Sequence, residues 1–374
     1  MRKTKFTPAA KVMEDAPPVD TERRRGRGAR SNAASRFDAE LRGNFDDGWK
    51  TLGDLPDFKT EVIFETAKRI ITTNDSPDIS FDQSINAYRG CEHGCIYCYA
   101  RPTHSYLGFS AGLDFETKLI AKTNAAEQLE RELAKPGYVV KPIMLGSNTD
   151  PYQPIEREQT LTRRLLQVFD RTSHPVGIVT KSALVLRDLD LLSSLASRGL
   201  TKVALSITTL DHRLARRMEP RASTPMKRVD ALSRLSEAGV PTVIMTAPII
   251  PAINDHEIEA LLATGAEAGA RQAAYVLVRL PLEISPLFQE WLTEEFPDRA
   301  KRVMSLIRST RGGKDYVSEF GERQTGAGVY AAQIAHRYRL ALQKHGLNER
   351  RCSLRSDIFQ PPVLKGGQFS LFGD

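Results

Sequence analysis

Cysteine is scarce in this chain, with four residues in 374. That excludes a small disulfide-stapled scaffold, which would be cysteine-dense. Long hydrophobic runs are missing too. None reaches the roughly 18 residues that a bilayer span needs, and the N-terminus has no apolar stretch of the secretory kind. The expectation is a cytoplasmic chain with no membrane partner. The body also lacks a charge excess. The formal charge is +7, yet residues 1–36 hold ten Lys/Arg against four Asp/Glu and so carry +6 of it. A basic patch on the body, the usual footprint of a nucleic-acid-binding domain, is therefore not expected. The basic stretch is the run Arg23-Arg-Arg-Gly-Arg-Gly-Ala-Arg-Ser-Asn32. Its glycines suit a backbone that bends close to something anionic. It reads either as a solvated linker or as an arm for nucleic acid. At 41% hydrophobic and 26% charged residues, the chain can bury one large core or two modest ones.

Three of the four cysteines fall within eight residues, Cys91-Glu-His-Gly-Cys95-Ile-Tyr-Cys98, and Cys352 lies far downstream. Three thiolates this close can wrap around one inorganic centre and leave a coordination position without a protein ligand. Structural zinc asks for four ligands, usually as two separated pairs; here His93 or His104 would have to complete the set. A disulfide would leave an odd thiol. Thiolate ligation of an iron–sulfur cluster suits the triplet best.

From residue 61 the chain alternates between short apolar runs and amphipathic stretches. Strands are expected at 61–64, 79–85, 139–145, 176–180, 203–207, 240–247 and 273–279. Helices are expected at 116–134, 157–171, 187–198, 211–217, 225–238 and 254–268. Six strand–helix units imply an α/β fold with a parallel sheet, open as a partial (β/α)6 barrel. Four regions follow. They are a disordered or semi-ordered basic arm (1–36), a cap containing Trp49 (37–78), the barrel (79–280) and a mostly helical C-terminal extension (281–374).

In such a sheet, ligands gather at the carboxyl ends of the strands. The polar residues there are Ser147, Asn148, Thr149 and Asp150, then Lys181, then Ser206 and Thr208. Each has a plainer reading. Asp150 can close a turn before Pro151, Lys181 can face solvent, and Ser206 and Thr208 can be ordinary strand polarity. Arg221, in Glu219-Pro-Arg221, could bind a carboxylate or sit in a surface ion pair. The turn Pro248-Ile-Ile-Pro251 with Asn254 reads as a rigid bend and helix cap.

The triplet with an aromatic directly before its third cysteine resembles the signature of the radical SAM superfamily. With Cys95-Ile-Tyr-Cys98-Tyr99 and Asn148-Thr-Asp-Pro-Tyr152, the chain looks most like the spore photoproduct lyase branch, over roughly residues 80 to 280. That resemblance implies a partial barrel, and, because a similar Gly-Arg-Gly-Ala segment precedes the core in look-alike proteins, it implies that Gly26-Arg-Gly-Ala29 folds onto the body. It implies a [4Fe–4S] cluster on Cys91, Cys95 and Cys98, with the amino and carboxylate groups of S-adenosylmethionine (SAM) on the remaining iron. It further implies reductive cleavage to a 5′-deoxyadenosyl radical, hydrogen abstraction from a substrate, and a flavodoxin- or ferredoxin-like electron donor. Positions matching Lys181 and Ser206 contact SAM in the lyase-like proteins, and the turn at Pro248 comes close to the adenine. Tyr97 and Tyr99 match tyrosines that help return a hydrogen atom to product. The lyase's donor cysteine matches Ser147 here, whose O–H bond is too strong for that task. The substrate remains open, between nucleic acid as in lyase-like DNA repair and a protein, tRNA or small metabolite. A non-catalytic, metal-stabilised nucleic-acid-binding protein is the alternative of another class.

Overall fold

Runs such as Val176-Gly-Ile-Val-Thr180 and Thr201-Lys-Val-Ala-Leu-Ser206 are buried almost throughout, as a strand covered on both faces requires. The structure, a computed structural model, describes residues 19, 21, 24–37, 57–350 and 352–363. Residues 1–18, 20, 22 and 23 of the expected arm, and residues 38–56 of the expected cap, Trp49 among them, lie outside these.

In chain order the strands are β1 (Glu61–Glu65), β2 (Ile71–Thr73), β3 (Gln83–Ile85), β4 (Tyr88–Arg89), β5 (Lys118–Lys122), β6 (Ile143–Leu145), β7 (Val176–Thr180), β8 (Thr201–Ser206), β9 (Thr242–Ile249) and β10 (Gln272–Leu277). Seven of them form one sheet in the order β2-β3-β6-β7-β8-β9-β10. β2 runs antiparallel at the edge, and the other six are all parallel. This is the expected set of six. Helices α1 (Ala125–Leu133), α2 (Leu161–Thr172), α3 (Leu189–Ser197), α4 (Pro225–Glu237) and α5 (Ile258–Glu267) connect successive strands and cover the sheet. The sheet does not close on itself: among the described residues, β10 and β2 are its two edges.

Two expectations change. The stretch 116–134 is not one helix. Leu119, Ile120 and Ala121 lie in β5, which pairs with β1 and β4 in a separate three-stranded sheet. All three side chains are buried, and an unbroken apolar triplet carries no period that separates strand from helix. The first and second parallel strands are also shorter than expected. Val139, at the expected start of the second, is 66% exposed.

The C-terminal region is helical, with α6 (Ile284–Glu295), α7 (Ala300–Ser309) and α8 (Gly328–Lys344). α8 packs on the sheet, its Tyr338 ring 4.5 Å from that of Tyr275 on β10. α6 and α7 build a second core, with Phe288 and Trp291 against Ala29, Ala33, Ile96, Tyr97 and Ile250. Each buried aromatic there is worth about 1.5–3 kcal/mol relative to exposure.

That core draws in the arginine–glycine run. Arg24 pairs with Glu294 at 2.9 Å, Arg30 with Glu294 at 3.1 Å and Glu295 at 2.5 Å, and Arg36 with Glu283. The anion that the glycines approach is an internal carboxylate. The Gly28 and Ala29 amides both donate to Glu116 at 2.8 Å. Residues 24–36 are thus a strap laid across the fold. Arg24, Arg27 and Arg30 are buried, so they do not form a solvated basic arm.

Candidate active site

The cysteine loop leaves β4 at the carboxyl end of the parallel sheet and is pinned from below. Gly94 takes a left-handed conformation (φ 68°), and a Cβ there would meet the Glu116 carboxylate at 2.8 Å. Glu116 is fully buried and bridges the strap to Arg101 at 2.6 Å. Arg101 in turn donates to the Cys95 carbonyl at 3.0 Å and to the carbonyls of Ala111 and Gly112. The strap touches the loop directly as well, since a Cβ on Gly28 would overlap the Gly94 carbonyl oxygen at 1.7 Å. On the other side Arg221 pairs with Glu92 at 3.0 Å, and its amide donates to the His93 carbonyl at 3.2 Å.

The polar strand ends converge beside this loop, each in a distinct role. Thr149 donates to the Gly90 carbonyl at 2.6 Å. Asp150 accepts from the Thr180 hydroxyl at 2.6 Å, the Lys181 amide at 2.8 Å and the Tyr152 amide at 2.9 Å, with His93 Nδ1 at 3.3 Å. Burial alone would push its carboxyl up, but His93, Thr180 and the Lys181 amide hold it below the usual carboxylate range. Asn148 and Ser147 are tied to the two ends of the Asn86 side chain at 2.9 Å each. Tyr99, 45% exposed, donates to the Ser147 carbonyl.

Lys181 and Ser206 meet. The Lys181 ammonium donates to the Ser206 hydroxyl and to the Ala247 carbonyl at 3.3 Å, and it stands 5.7 Å from the centre of the Tyr97 ring. Ser206 donates to that same carbonyl at 3.0 Å. Asn254 fixes the turn behind it, donating to the carbonyls of Thr208 (2.7 Å) and Pro248 (3.0 Å).

One central residue escaped the sequence reading. Glu219 is fully buried and accepts from the Tyr97 hydroxyl and from Thr208 at 2.7 Å; it pairs with Arg228 at 2.6 Å and lies 4.0 Å from the Cys95 sulfur. Burial opposes its charge, yet Arg228 and Lys181 keep its carboxyl below the usual range. Its partners are spread from Cys95 to Arg228, so no local spacing signals it. A glutamate after a short helix ordinarily faces solvent.

Residues 85–264 match the Radical SAM superfamily. An uncharacterised protein of Mycobacterium tuberculosis is 35% identical over 232 residues, which is 62% of this chain and 68% of that one. The chain belongs to the radical SAM superfamily. An uncharacterised protein of Methanocaldococcus jannaschii is 30% identical over 261 residues, covering 70% of this radical SAM chain and 92% of its own length. Among solved structures, a spore photoproduct lyase complexed with dinucleoside spore photoproduct superposes with a TM-score of 0.53 at 16% identity, over 76% of this chain and 80% of that one. That likeness is one of fold.

A radical SAM protein implies an iron–sulfur cluster, and the donor set here fits one. Cys91 and Cys95 are buried and Cys98 nearly so. Burial pushes all three thiols up, and Cys91 is raised further by Asp150 and by the other two sulfurs. Holding them as thiolates requires added positive charge, which bound iron supplies. Among the described residues, no three His, Cys, Asp or Glu side chains stand close enough to share one metal ion; Cys91, Cys95 and Cys98 would be the residues to hold a cluster. Both histidines named for a zinc site have one ring nitrogen engaged by the protein. His93 faces Asp150, and His104 bonds the Lys118 carbonyl at 2.8 Å, with burial lowering its pKa to about 4.

Proposed function

We propose that this radical SAM protein is an enzyme that holds a [4Fe–4S] cluster on Cys91, Cys95 and Cys98 and binds SAM beside it. When bound, cluster and SAM supply a 5′-deoxyadenosyl radical that removes a hydrogen atom from an organic substrate. The observation that carries this reading is convergence. Three thiols on one buried loop stand next to the Lys181–Ser206 pair, and the field of the Lys181 ammonium reaches both Cys95 and Cys98.

Lys181 offers a cation for the SAM carboxylate, held ready by Ser206 and the Ala247 carbonyl. Tyr97 offers a ring face for the adenine, its hydroxyl fixed by Glu219, whose other oxygen accepts from Thr208. Asp150, Asn148 and Thr149 act at one remove and keep the cysteine loop and the β6 and β7 exits in register. Tyr99 stands at the outer edge with its hydroxyl on the Ser147 carbonyl. The Ser147 hydroxyl makes a poor hydrogen-atom donor, so thymine-dimer reversal by the lyase route is not favoured. A one-electron donor of the flavodoxin or ferredoxin kind is required from outside. Glu294 and Glu295 of α6, with Glu283 just before it, engage Arg24, Arg30 and Arg36, which leaves those arginines little role in holding nucleic acid.

Anaerobic reconstitution followed by dithionite tests the reading. The wild type should release 5′-deoxyadenosine from SAM. Cys91→Ala, Cys95→Ala and Cys98→Ala should each abolish release, and Cys352→Ala should leave it intact. Release that survives in any member of the triplet contradicts the assignment.

A further inference from the structure

Arg279 lies just beyond the end of β10, at the same end of the sheet as the cysteine loop. Its guanidinium stands 5.1 Å from the Tyr99 ring centre and 5.8 Å from that of Tyr316 in the C-terminal region. It donates to the Tyr316 hydroxyl at 3.3 Å. Its Nε is buried and has no hydrogen-bond partner among the described residues. Asp78 feels its charge, but the Asp78 oxygens are taken by Arg323 and by the Gly321 amide at 2.7 Å. Nearby Arg311 brings more positive charge; its own charge is disfavoured by burial and then by Arg279, and it donates to the carbonyls of Leu277, Val278 and Glu322.

A half-buried guanidinium with an orphan N–H is costly unless something completes it. Its fork of donors matches the geometry of an oxyanion. The Tyr316 hydroxyl accepts from Arg279 and keeps its own proton to donate. We propose that Arg279 and Tyr316 form an oxyanion subsite, walled by Tyr99, that anchors the substrate by a phosphate or carboxylate group. The proposal rests on the radical SAM reading for the presence of a substrate at this mouth; the subsite itself rests on the orphan donor and the charge around it.

The test uses the full chain, reconstituted anaerobically, with saturating SAM and no reductant so that the Lys181 side is filled. Inorganic phosphate and acetate are titrated separately by calorimetry. At least one should bind saturably, and Arg279→Gln should weaken it by at least about tenfold, as expected for losing a charge-assisted hydrogen bond. Stronger phosphate binding identifies a phosphorylated substrate, and stronger acetate binding a carboxylate. Absence of saturable binding of either anion, or affinity unchanged in Arg279→Gln, overturns the subsite. Should Arg279→Gln fail to fold, Tyr316→Phe replaces it: a several-fold weakening supports the subsite, and unchanged affinity overturns it. Release of 5′-deoxyadenosine by the wild type is read separately, so that failure of the radical reading shows there and not in anion binding.

Discussion

Glu219 shows how much of this site rests on one side chain. It balances Arg228, orients Tyr97 and Thr208, and approaches the sulfur of a cysteine assigned to the cluster. Glu219→Gln leaves Arg228 buried without its counter-charge, a change that costs about 3–5 kcal/mol in comparable buried pairs. The denaturation midpoint should fall accordingly, and the KM for SAM should rise because Tyr97 loses its anchor and Lys181 a nearby counter-charge. A stability loss under about 1 kcal/mol would show that the pair contributes little. The contrast with the cysteines explains what was legible at this scale. The triplet is local, so its spacing is visible in the chain. Lys181 and Ser206 are visible as polar residues at strand ends, where a parallel sheet gathers its ligands. Glu219 and Glu116 are defined only by partners from distant elements, and Arg279 only by a donor left unpaired.

Among the elements, the strap has the most consequence for the site. Its Gly28 packs against Gly94 so closely that no side chain fits, and its amides complete the Glu116 clamp under Cys95. Gly28→Ala should therefore displace strap or loop, at a cost of about 1–3 kcal/mol or more for overpacking. The measurable result is lower iron content after anaerobic reconstitution; unchanged iron content would mean that the strap can lift without disturbing the loop. The sequence hinted at half of this. Glycine alternating with arginine suggested a backbone approaching an anion, but nothing local could say that the anion is Glu116. The strand β5 was hidden for a related reason. Its role is fixed by pairing with β1 and β4, and its apolar run continues into a genuine helical pattern.

Across the whole molecule the six parallel strands follow one another in order, so the alternation of apolar runs sufficed to anticipate the sheet. What the alternation could not give is how its open side is treated. There the C-terminal segment reaches from β10 to the loop before β3, where Arg323 engages Asp78 and Ser76, and the Gly321 amide engages Asp78. Arg323→Ala should release this bridge and speed limited proteolysis between residues 312 and 328, while changing global stability by no more than about 1 kcal/mol. Cleavage no faster than in the wild type would show that the segment is held by other means. The strap has a counterpart effect. The Glu294 that holds Arg24 and Arg30 is 44% exposed at its side chain, so dissolved electrolyte reaches those attachments. With the proposed cluster in place, concentrated brine would then act at a distance on its iron, loosening the belt that underlies the thiols, and a brown reconstituted preparation should bleach faster the saltier its buffer.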